Sequence, residues 1–325
     1  MNTRRILVTG CAGFIGSHTC EHLLKRGDIV LGVDNLNNYY DSKLKRKNIE
    51  LLEKYPSFHF EEGDIRNREL IEDIFKQSNI THIVHLASMA GVRNSIQNPN
   101  EYISNNIDGF ITLLDVITKN KENTSTLSHI VYASSSSVYG LNKPPFIETD
   151  PLNNTKSPYA LSKKVMEEYA ALYYRLFNIK TIGLRFFTVY GPRGRPDMAP
   201  DKFLKAIHNE QPIQQYGDGN SSRDYTYIND IVSGVIASID KSEESVNYQI
   251  YNLGNNHNIT LSKFIETCET IVGKKAIINI IGNQKGDVPI TLANISKAKL
   301  ELNYNPSTSL FNGLTKTYQS IKDDM

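Results

Sequence analysis

The apolar run Ile6-Leu7-Val8-Thr9 passes directly into Gly10-Cys11-Ala12-Gly13-Phe14-Ile15-Gly16, and a helical pattern over Phe14–Arg26 follows. The spacing is G-x-x-G-x-x-G. Glycines permit a tight turn and close backbone approach, and the helix that starts there offers amide donors and a positive dipole end. A purely structural turn would use the same glycines, so the flanking pattern has to decide. A second β-rich run, Ile29–Val33, leads into Asp34, roughly 20 residues beyond the loop, where a carboxylate can accept from a ribose 2′-OH. The plainer alternative for Asp34 is a turn residue in Asp34-Asn35. If it contacts a ribose, it would repel a 2′-phosphate, which favours NAD over NADP.

The alternation continues. Strands are expected at Ile6–Thr9, Ile29–Val33, His59–Glu61, Ile83–Leu86, Ile130–Ala133 and Thr181–Phe186. Helices are expected at Phe14–Arg26, Ser42–Lys54, Arg68–Gln77, Asn100–Thr118 and Pro158–Phe177. Apolar strands separated by helices argue for an α/β chain with a parallel sheet covered on both faces, a Rossmann-type doubly wound fold. At 325 residues the chain has room for two domains. The rhythm breaks at Gly191-Pro192-Arg193-Gly194-Arg195-Pro196, and shorter elements rich in Asn, Gly and Asp follow. Residues 1–187 are therefore expected to form the dinucleotide-binding domain, with 225–255 returning to it through a helix at Ile228–Ile239 and a strand at Gln249–Leu253. Residues 188–224 and 256–325 would form a smaller C-terminal α/β substrate domain.

Composition narrows the partners. Net charge is +1, without a basic stripe, which argues against nucleic acid. No apolar run has the ~18 residues of a membrane helix. The start, Met1-Asn2-Thr3-Arg4-Arg5, is followed by too short an apolar run for a signal segment. Cys11, Cys20 and Cys268 are scattered and lack metal-ligand spacing. They read as reduced thiols in a cytoplasmic protein, and no metal is expected.

Two further stretches carry chemistry. Ser134-Ser135-Ser136-Ser137-Val138-Tyr139-Gly140 leaves the strand Ile130–Ala133 with four hydroxyls in a row. Serines often end strands by bonding nearby backbone; the other reading is a donor array for a polar ligand. Pro158-Tyr159-Ala160-Leu161-Ser162-Lys163 puts Tyr159 and Lys163 on one helical face. A neighbouring ammonium stabilises a phenolate, so the pair can shuttle a proton between alcohol and ketone. Packing plus a solvated lysine is the plainer account of such a pair on its own. Asp64, in Gly63-Asp64-Ile65-Arg66, could reach an adenine edge or cap the next helix.

Taken in order, Thr9-Gly10 to Gly16, His85-Leu86-Ala87, Ser134–Gly140, Tyr159–Lys163, Leu184-Arg185-Phe186-Phe187 and Arg223-Asp224-Tyr225 resemble the extended short-chain dehydrogenase/reductase family over nearly the whole chain. The resemblance implies Ser135, Tyr159 and Lys163 as the catalytic group. It implies cofactor contacts from Gly10, Gly13, Phe14, Ile15, Gly16, Asp34, Asn35, Asp64, Ile65, Leu86, Ala87, Ala90 and Asn105, besides Tyr159 and Lys163. Family members that dehydrate or decarboxylate a sugar nucleotide carry acids where this chain has Ser136 and Ser137, so epimerisation is the implied reaction.

Met89–Ser95, Arg185–Pro192, Gly194–Ala199 and Gly286–Pro289 look most like UDP-glucuronate 4-epimerases. That likeness implies a UDP-sugar held by Arg93, Ser135, Ser136, Ser137, Tyr159, Thr188, Arg195, Arg223 and Asp287. Thr188 stands where Asn is usual and would leave room for a carboxylate, with Arg195 as its charge partner. Alternatively, Arg193 and Arg195 are merely loop charges, and the chain is a UDP-glucose or UDP-N-acetylglucosamine 4-epimerase. Gln284, where an arginine is frequent, and Met89, where Gln is, depart from the family pattern. The helices at Asn100–Thr118 and Pro158–Phe177 resemble the pair that makes a four-helix homodimer in this family, and the chemistry implied is that of nucleotide sugars for polysaccharide biosynthesis.

Overall fold

The computed structural model describes residues 4–282 and 286–323. Its strands are β1 (Arg5–Thr9), β2 (Ile29–Asp34), β3 (Phe58–Glu62), β4 (His82–His85), β5 (His129–Ser135), β6 (Thr181–Phe186), β7 (Thr188–Tyr190), β8 (Pro212–Tyr216), β9 (Ser222–Tyr227), β10 (Tyr248–Leu253), β11 (Asn258–Thr260) and β12 (Ile277–Ile281). Seven of them form one parallel sheet in the order β10-β6-β5-β4-β1-β2-β3. The order reverses between β1 and β4. In a doubly wound sheet, ligands bind at that switch point, outside the carboxyl ends of the strands.

Helices α1 (Phe14–Arg26), α2 (Ser42–Leu52), α3 (Arg68–Ser78), α4 (Val92–Gln97), α5 (Pro99–Tyr102), α6 (Gly109–Lys119), α7 (Pro158–Phe177), α8 (Ala199–His208), α9 (Ile228–Ile239), α10 (Leu261–Val272), α11 (Ser296–Leu302) and α12 (Leu310–Asp323) complete the chain. The two faces of the large sheet are covered by separate apolar clusters. Ile6, Val8, Val84, Val131, Ile182 and Leu184 pack on one side with α1 and α9. Leu7, Ile83, Ile130 and Tyr132 pack on the other with α3, α6 and α7. Strands buried on both faces explain why their sequences run apolar rather than alternating.

Local signals account for the helix ends. Ser157 caps α7 by accepting from Ala160 N (3.1 Å), Pro158 holds the first position, and Asn178 ends it in the left-handed region. Sequence pattern and structure differ over residues 100–118, where one continuous helix is expected. Instead α5 passes through a π-helical segment, Ile103–Asp108, into α6. The cause is Asn106, whose buried side chain bonds the backbone of Met89 outside the helix. Strand β5 also runs two residues further than its apolar run, because Ser134 and Ser135 pair in register with Arg185 and Phe186 of β6.

Beyond β6 the chain builds a three-stranded sheet, β11-β9-β7, and a two-stranded one, β12-β8. Residues 225–227 lie in β9 and pair with β7, so within 225–255 it is α9 and β10 that return to the large sheet. No helix among the described residues is long and apolar enough to cross a membrane.

Under the sheet's carboxyl end lies a buried ion pair. Arg185 on β6 donates to Glu167 on α7 through Nε (2.9 Å) and Nη2 (2.7 Å), with both side chains 4% exposed. Removing one partner strands a buried charge, which costs about 3–5 kcal/mol. Arg185→Met is therefore expected to lower unfolding free energy by about that amount in urea denaturation. Glu167→Leu/Arg185→Met should recover much of the loss.

Candidate active site

The glycine loop lies at the switch point. Gly10 has φ +73°, and a Cβ there would fall 2.7 Å from Ala87 N, at the exit of β4. A Cβ on Gly16 would fall 2.0 Å from Gly10 O. Gly13 precedes α1 without any side-chain cap, and Phe14 and Ile15 open the helix, so first-turn amides remain open to an anion. Leu86 N donates to Thr9 O (3.0 Å) and Ala87 N to Thr9 Oγ1 (3.3 Å), which ties the β4 exit to the loop.

Asp34 is buried at the end of β2. Its two oxygens accept from Ala12 N (3.2 Å) and Leu36 N (2.9 Å), and the buried Lys45 ammonium is 3.7 Å away. Each oxygen retains a lone pair for a further donor. Asn35 donates to Asp64 (2.9 Å), and Arg66 clamps the same carboxylate (2.7 Å), so Arg66 foremost holds it down to about 2. Asp64 is not the cap of α3; Asn67 is, accepting from Leu70 N (3.3 Å). Ile65 is buried against Gly109. Ala90 O accepts from Tyr102 (3.2 Å), and Asn105 is half-buried on the π-helical segment. Open helix amides, close-approach glycines and a buried carboxylate at the second strand are what a dinucleotide diphosphate and its ribose require.

On α7, Tyr159 and Lys163 are one turn apart. Lys163 donates to Ala133 O (2.8 Å), and burial pushes its ammonium down to about 7, against the pull of Glu167. Burial raises the Tyr159 phenol, while a hydrogen bond with Ser135 and the charge of Arg195 lower it. The four serines divide. Ser134 faces the ion pair and donates to Glu167 (2.5 Å). Ser135 faces Tyr159 and also accepts from Ser137 N (3.1 Å). Ser136 and Ser137 sit half-buried in a short 3-10 turn, Ser136–Tyr139.

The two loop arginines part company. Arg193 clamps the loop to α1 through Glu21 (2.6 Å) and His18 (3.0 Å). Arg195 lies beside Tyr159, and its guanidinium takes Asp197 through Nε (3.0 Å) and Nη2 (2.6 Å). Thr188 opens β7 opposite Tyr225. Arg93 and Asp287, distant in sequence, pair at 2.9 Å, with Arg93 over the Tyr216 ring at 3.9 Å. Arg223 donates to Ser222 O (3.0 Å) and Pro289 O (3.3 Å). Gln284 lies outside the described residues.

Comparison with known proteins agrees with this geometry. Residues 6–254 match the model of the NAD dependent epimerase/dehydratase family. This chain belongs to that family. UDP-glucuronate 4-epimerase 4 of Arabidopsis thaliana is 44% identical over 96% of this chain and 74% of its own length. UDP-glucuronate 4-epimerase of Thermodesulfobacterium geofontis is 42% identical over 98% of this chain and 96% of its own. The crystal structure of UDP-glucuronic acid 4-epimerase from Bacillus cereus, in complex with UDP-glucuronic acid and NAD, superposes with a TM-score of 0.92 at 36% identity, covering 99% of this chain and 100% of that one.

Several site residues of this epimerase/dehydratase chain escape a reading of its motifs. Asn106 accepts from Met89 N (2.7 Å) and donates to Met89 O (3.0 Å) and Ser162 Oγ (2.9 Å). Ser162 in turn donates to Tyr159 O (2.8 Å), so one amide joins the 86–91 loop to the tyrosine helix. The available signal was the pair Asn105-Asn106 inside an apparent helix, where Asn is a poor former. The Tyr102 ring meets Tyr159 edge-on at 6.1 Å, and Tyr39 is near enough to act on its phenol electrostatically. Asp224, fully buried, gathers Asn255 N (2.7 Å), Asn256 N (3.0 Å) and Ala293 N (3.0 Å). Burial pushes its carboxyl up to about 6 against those donors.

Asn106→Leu leaves Met89 N and O buried without partners, at about 1–3 kcal/mol for each. Unfolding free energy should fall by about 2–6 kcal/mol, and the Met89 amide should lose hydrogen-exchange protection ahead of the strand amides. Wild-type protection at Met89 in that variant would remove Asn106 from this role.

Proposed function

We propose that the protein is an NAD-dependent 4-epimerase interconverting UDP-glucuronate and UDP-galacturonate through a 4-keto intermediate. The observation that carries the proposal is the meeting of Ser135, Tyr159 and Lys163 at one strand end, with Arg195 beside the tyrosine and neutral serines at 136 and 137. Relatives 42–44% identical that are named for this reaction support it.

In this reading Tyr159 takes the O4 proton of the sugar and later returns it. Ser135 bonds O4 and shares its proton path, and Lys163 tunes the phenol by its charge. Bound NAD supplies the acceptor for the C4 hydride and gives it back to the other face of the ketone. Gly10, Gly13 and Gly16 with the amides of Phe14 and Ile15 hold the diphosphate, Asp34 the ribose, and Asn35, Asp64 and Ile65 border the adenine. Leu86, Ala87, Ala90 and Asn105 border the nicotinamide side. Residues 188–224 and 256–325 bind the UDP-sugar, with Arg93 and Arg223 toward the diphosphate and Asp287 toward its ribose. Thr188, Arg195, Ser136 and Ser137 hold the C6 carboxylate. The ketone of a glucuronate is a β-keto acid prone to lose CO₂, and hydroxyls hold it without offering a strong acid or base.

A homodimer through α7 and the 99–119 helical stretch fits the exposure of Leu161, Leu172, Leu176 and Ile103. Three free, buried thiols fit a cytoplasmic enzyme supplying sugar nucleotides for polysaccharide synthesis.

Two outcomes follow. Tyr159→Phe should lose ~10²–10⁴-fold in turnover while UDP-sugar binding survives. Because the Ser135 hydroxyl lowers the Tyr159 pKa, Ser135→Ala should move the acid limb of the kcat/KM profile to higher pH. A limb that stays put, or moves down, assigns it to another group.

The decisive comparison uses UDP-glucuronate and UDP-glucose. A charge-assisted bond to a carboxylate contributes ~1.5–3 kcal/mol, so Arg195→Ala should lower kcat/KM for UDP-glucuronate roughly 10- to 200-fold and leave UDP-glucose nearly untouched. If the wild type turns over UDP-glucose faster than UDP-glucuronate, the glucuronate assignment fails.

A further inference from the structure

Arg195 meets a carboxylate that belongs to the chain itself. Asp197 takes the guanidinium side-on, through Nε at 3.0 Å and Nη2 at 2.6 Å. Two opposed lone-pair oxygens on a planar fork are the geometry by which arginine recognises any carboxylate. The phenol of Tyr39 fixes the other side of the group: Nη2 donates to its hydroxyl at 3.3 Å, and the ring lies 5.2 Å from the guanidinium carbon. Gly91 makes room for this contact. Its φ is +120°, and a Cβ there would fall 2.5 Å from the Tyr39 hydroxyl and 3.7 Å from Nη2.

The two partners differ in exposure. The Arg195 side chain is 18% exposed, whereas Asp197 is 38% exposed and can turn toward solvent without leaving a buried charge. The cation is therefore fixed by Tyr39, and its counter-ion is replaceable.

We infer that Asp197 is a built-in competitor for the substrate's carboxylate, and a specificity-determining residue of the site. It neutralises Arg195 until an acidic sugar arrives, and it weakens acidic-sugar binding without touching neutral sugars. This rests on the reading of Arg195 as the carboxylate partner. The consequence is counter-intuitive for a residue at the substrate site: removing its charge improves binding of the acidic substrate. A partly exposed ion pair is worth little, so the gain should be about 1.5- to fivefold.

The test is calorimetric titration of the NAD-loaded protein with UDP-glucuronate and with UDP-glucose. Asp197→Asn should bind UDP-glucuronate about 1.5- to fivefold more tightly, with UDP-glucose unchanged. Asp197→Glu, which restores the carboxylate, should return toward the wild-type constant. Weaker binding of both ligands by Asp197→Asn would make the residue a loop brace and overturn the inference. Unchanged binding of both would make it a spectator and overturn it equally. Arg195→Ala separates the two layers. If it weakens both ligands alike, the carboxylate assignment itself falls; if it selects against UDP-glucuronate while Asp197→Asn shows no gain, only the competitor role falls.

Discussion

The ion pair between Glu167 and Arg185 is the contact on which the reactive end of the molecule rests. It joins α7 to β6 through two hydrogen bonds, and Ser134 brings the end of β5 onto the same carboxylate. Arg185 continues the network to Tyr139 (2.8 Å), whose hydroxyl donates to Asn252 on β10 (2.7 Å). Three strands and one helix are thereby fixed at the level where their side chains turn toward the site. A buried pair of this kind adds little net stability compared with apolar packing. What it adds is position: α7 cannot slide along β5 without stranding a charge, so Tyr159 stays in register with Ser135.

The same pair governs the electrostatics above it. Glu167 lies one turn beyond Lys163 and favours its ammonium, while burial disfavours it. The result is an amine whose charged form is less favoured than in water and is held by Glu167 against burial. Tyr159 faces the mirror problem. Burial opposes its phenolate, and Ser135 and Arg195 favour it. His85 offers no compensation: buried, with burial first and the Lys163 charge second in lowering it to about 3, it stays neutral and bonds Thr9 (2.9 Å). The site thus holds its proton-carrying groups by position and leaves their charge adjustable by what binds.

The large sheet was legible in the sequence because each of its units carries its own local signals. Helix α7 begins at a Ser-Pro pair and ends at an asparagine, and α1 ends at Gly27 in the left-handed region, so their limits follow from caps alone. The π-helical segment was not legible, since what breaks the helix is a bond from Asn106 to a loop seventeen positions earlier. Strand β5 reads short for the same reason: Ser134 and Ser135 are strand only because β6 pairs with them. The small sheets are harder still. β7 and β11 have three residues each and exist through pairing with β9, which no local pattern announces. Among site residues, Tyr159, Lys163 and Ser135 sit in motifs. Tyr39 and Asn106 matter through partners that only the fold supplies.

Asp224 shows how the smaller region is joined to this frame. It stands on β9 next to Arg223, yet its oxygens reach the turn after β10 and the backbone at Ala293. Two distant segments converge on the carboxylate of this strand, and among the described residues no lysine or arginine pairs with it. Backbone amides do that work, and they fix direction more tightly than a flexible cation would. Since β10 belongs to the large sheet and β9 to the small one, the carboxylate spans the boundary between them. Arg223 inherits that constraint through the backbone, and its guanidinium rests on Ser222 O and Pro289 O. The arrangement couples the distance between Arg223 and the strand end of Ser135 to the geometry of the two sheets. In the proposed reading a ligand that engages both must match that distance, as a sugar nucleotide does, with its charged diphosphate joined to the anomeric carbon of the reacting sugar.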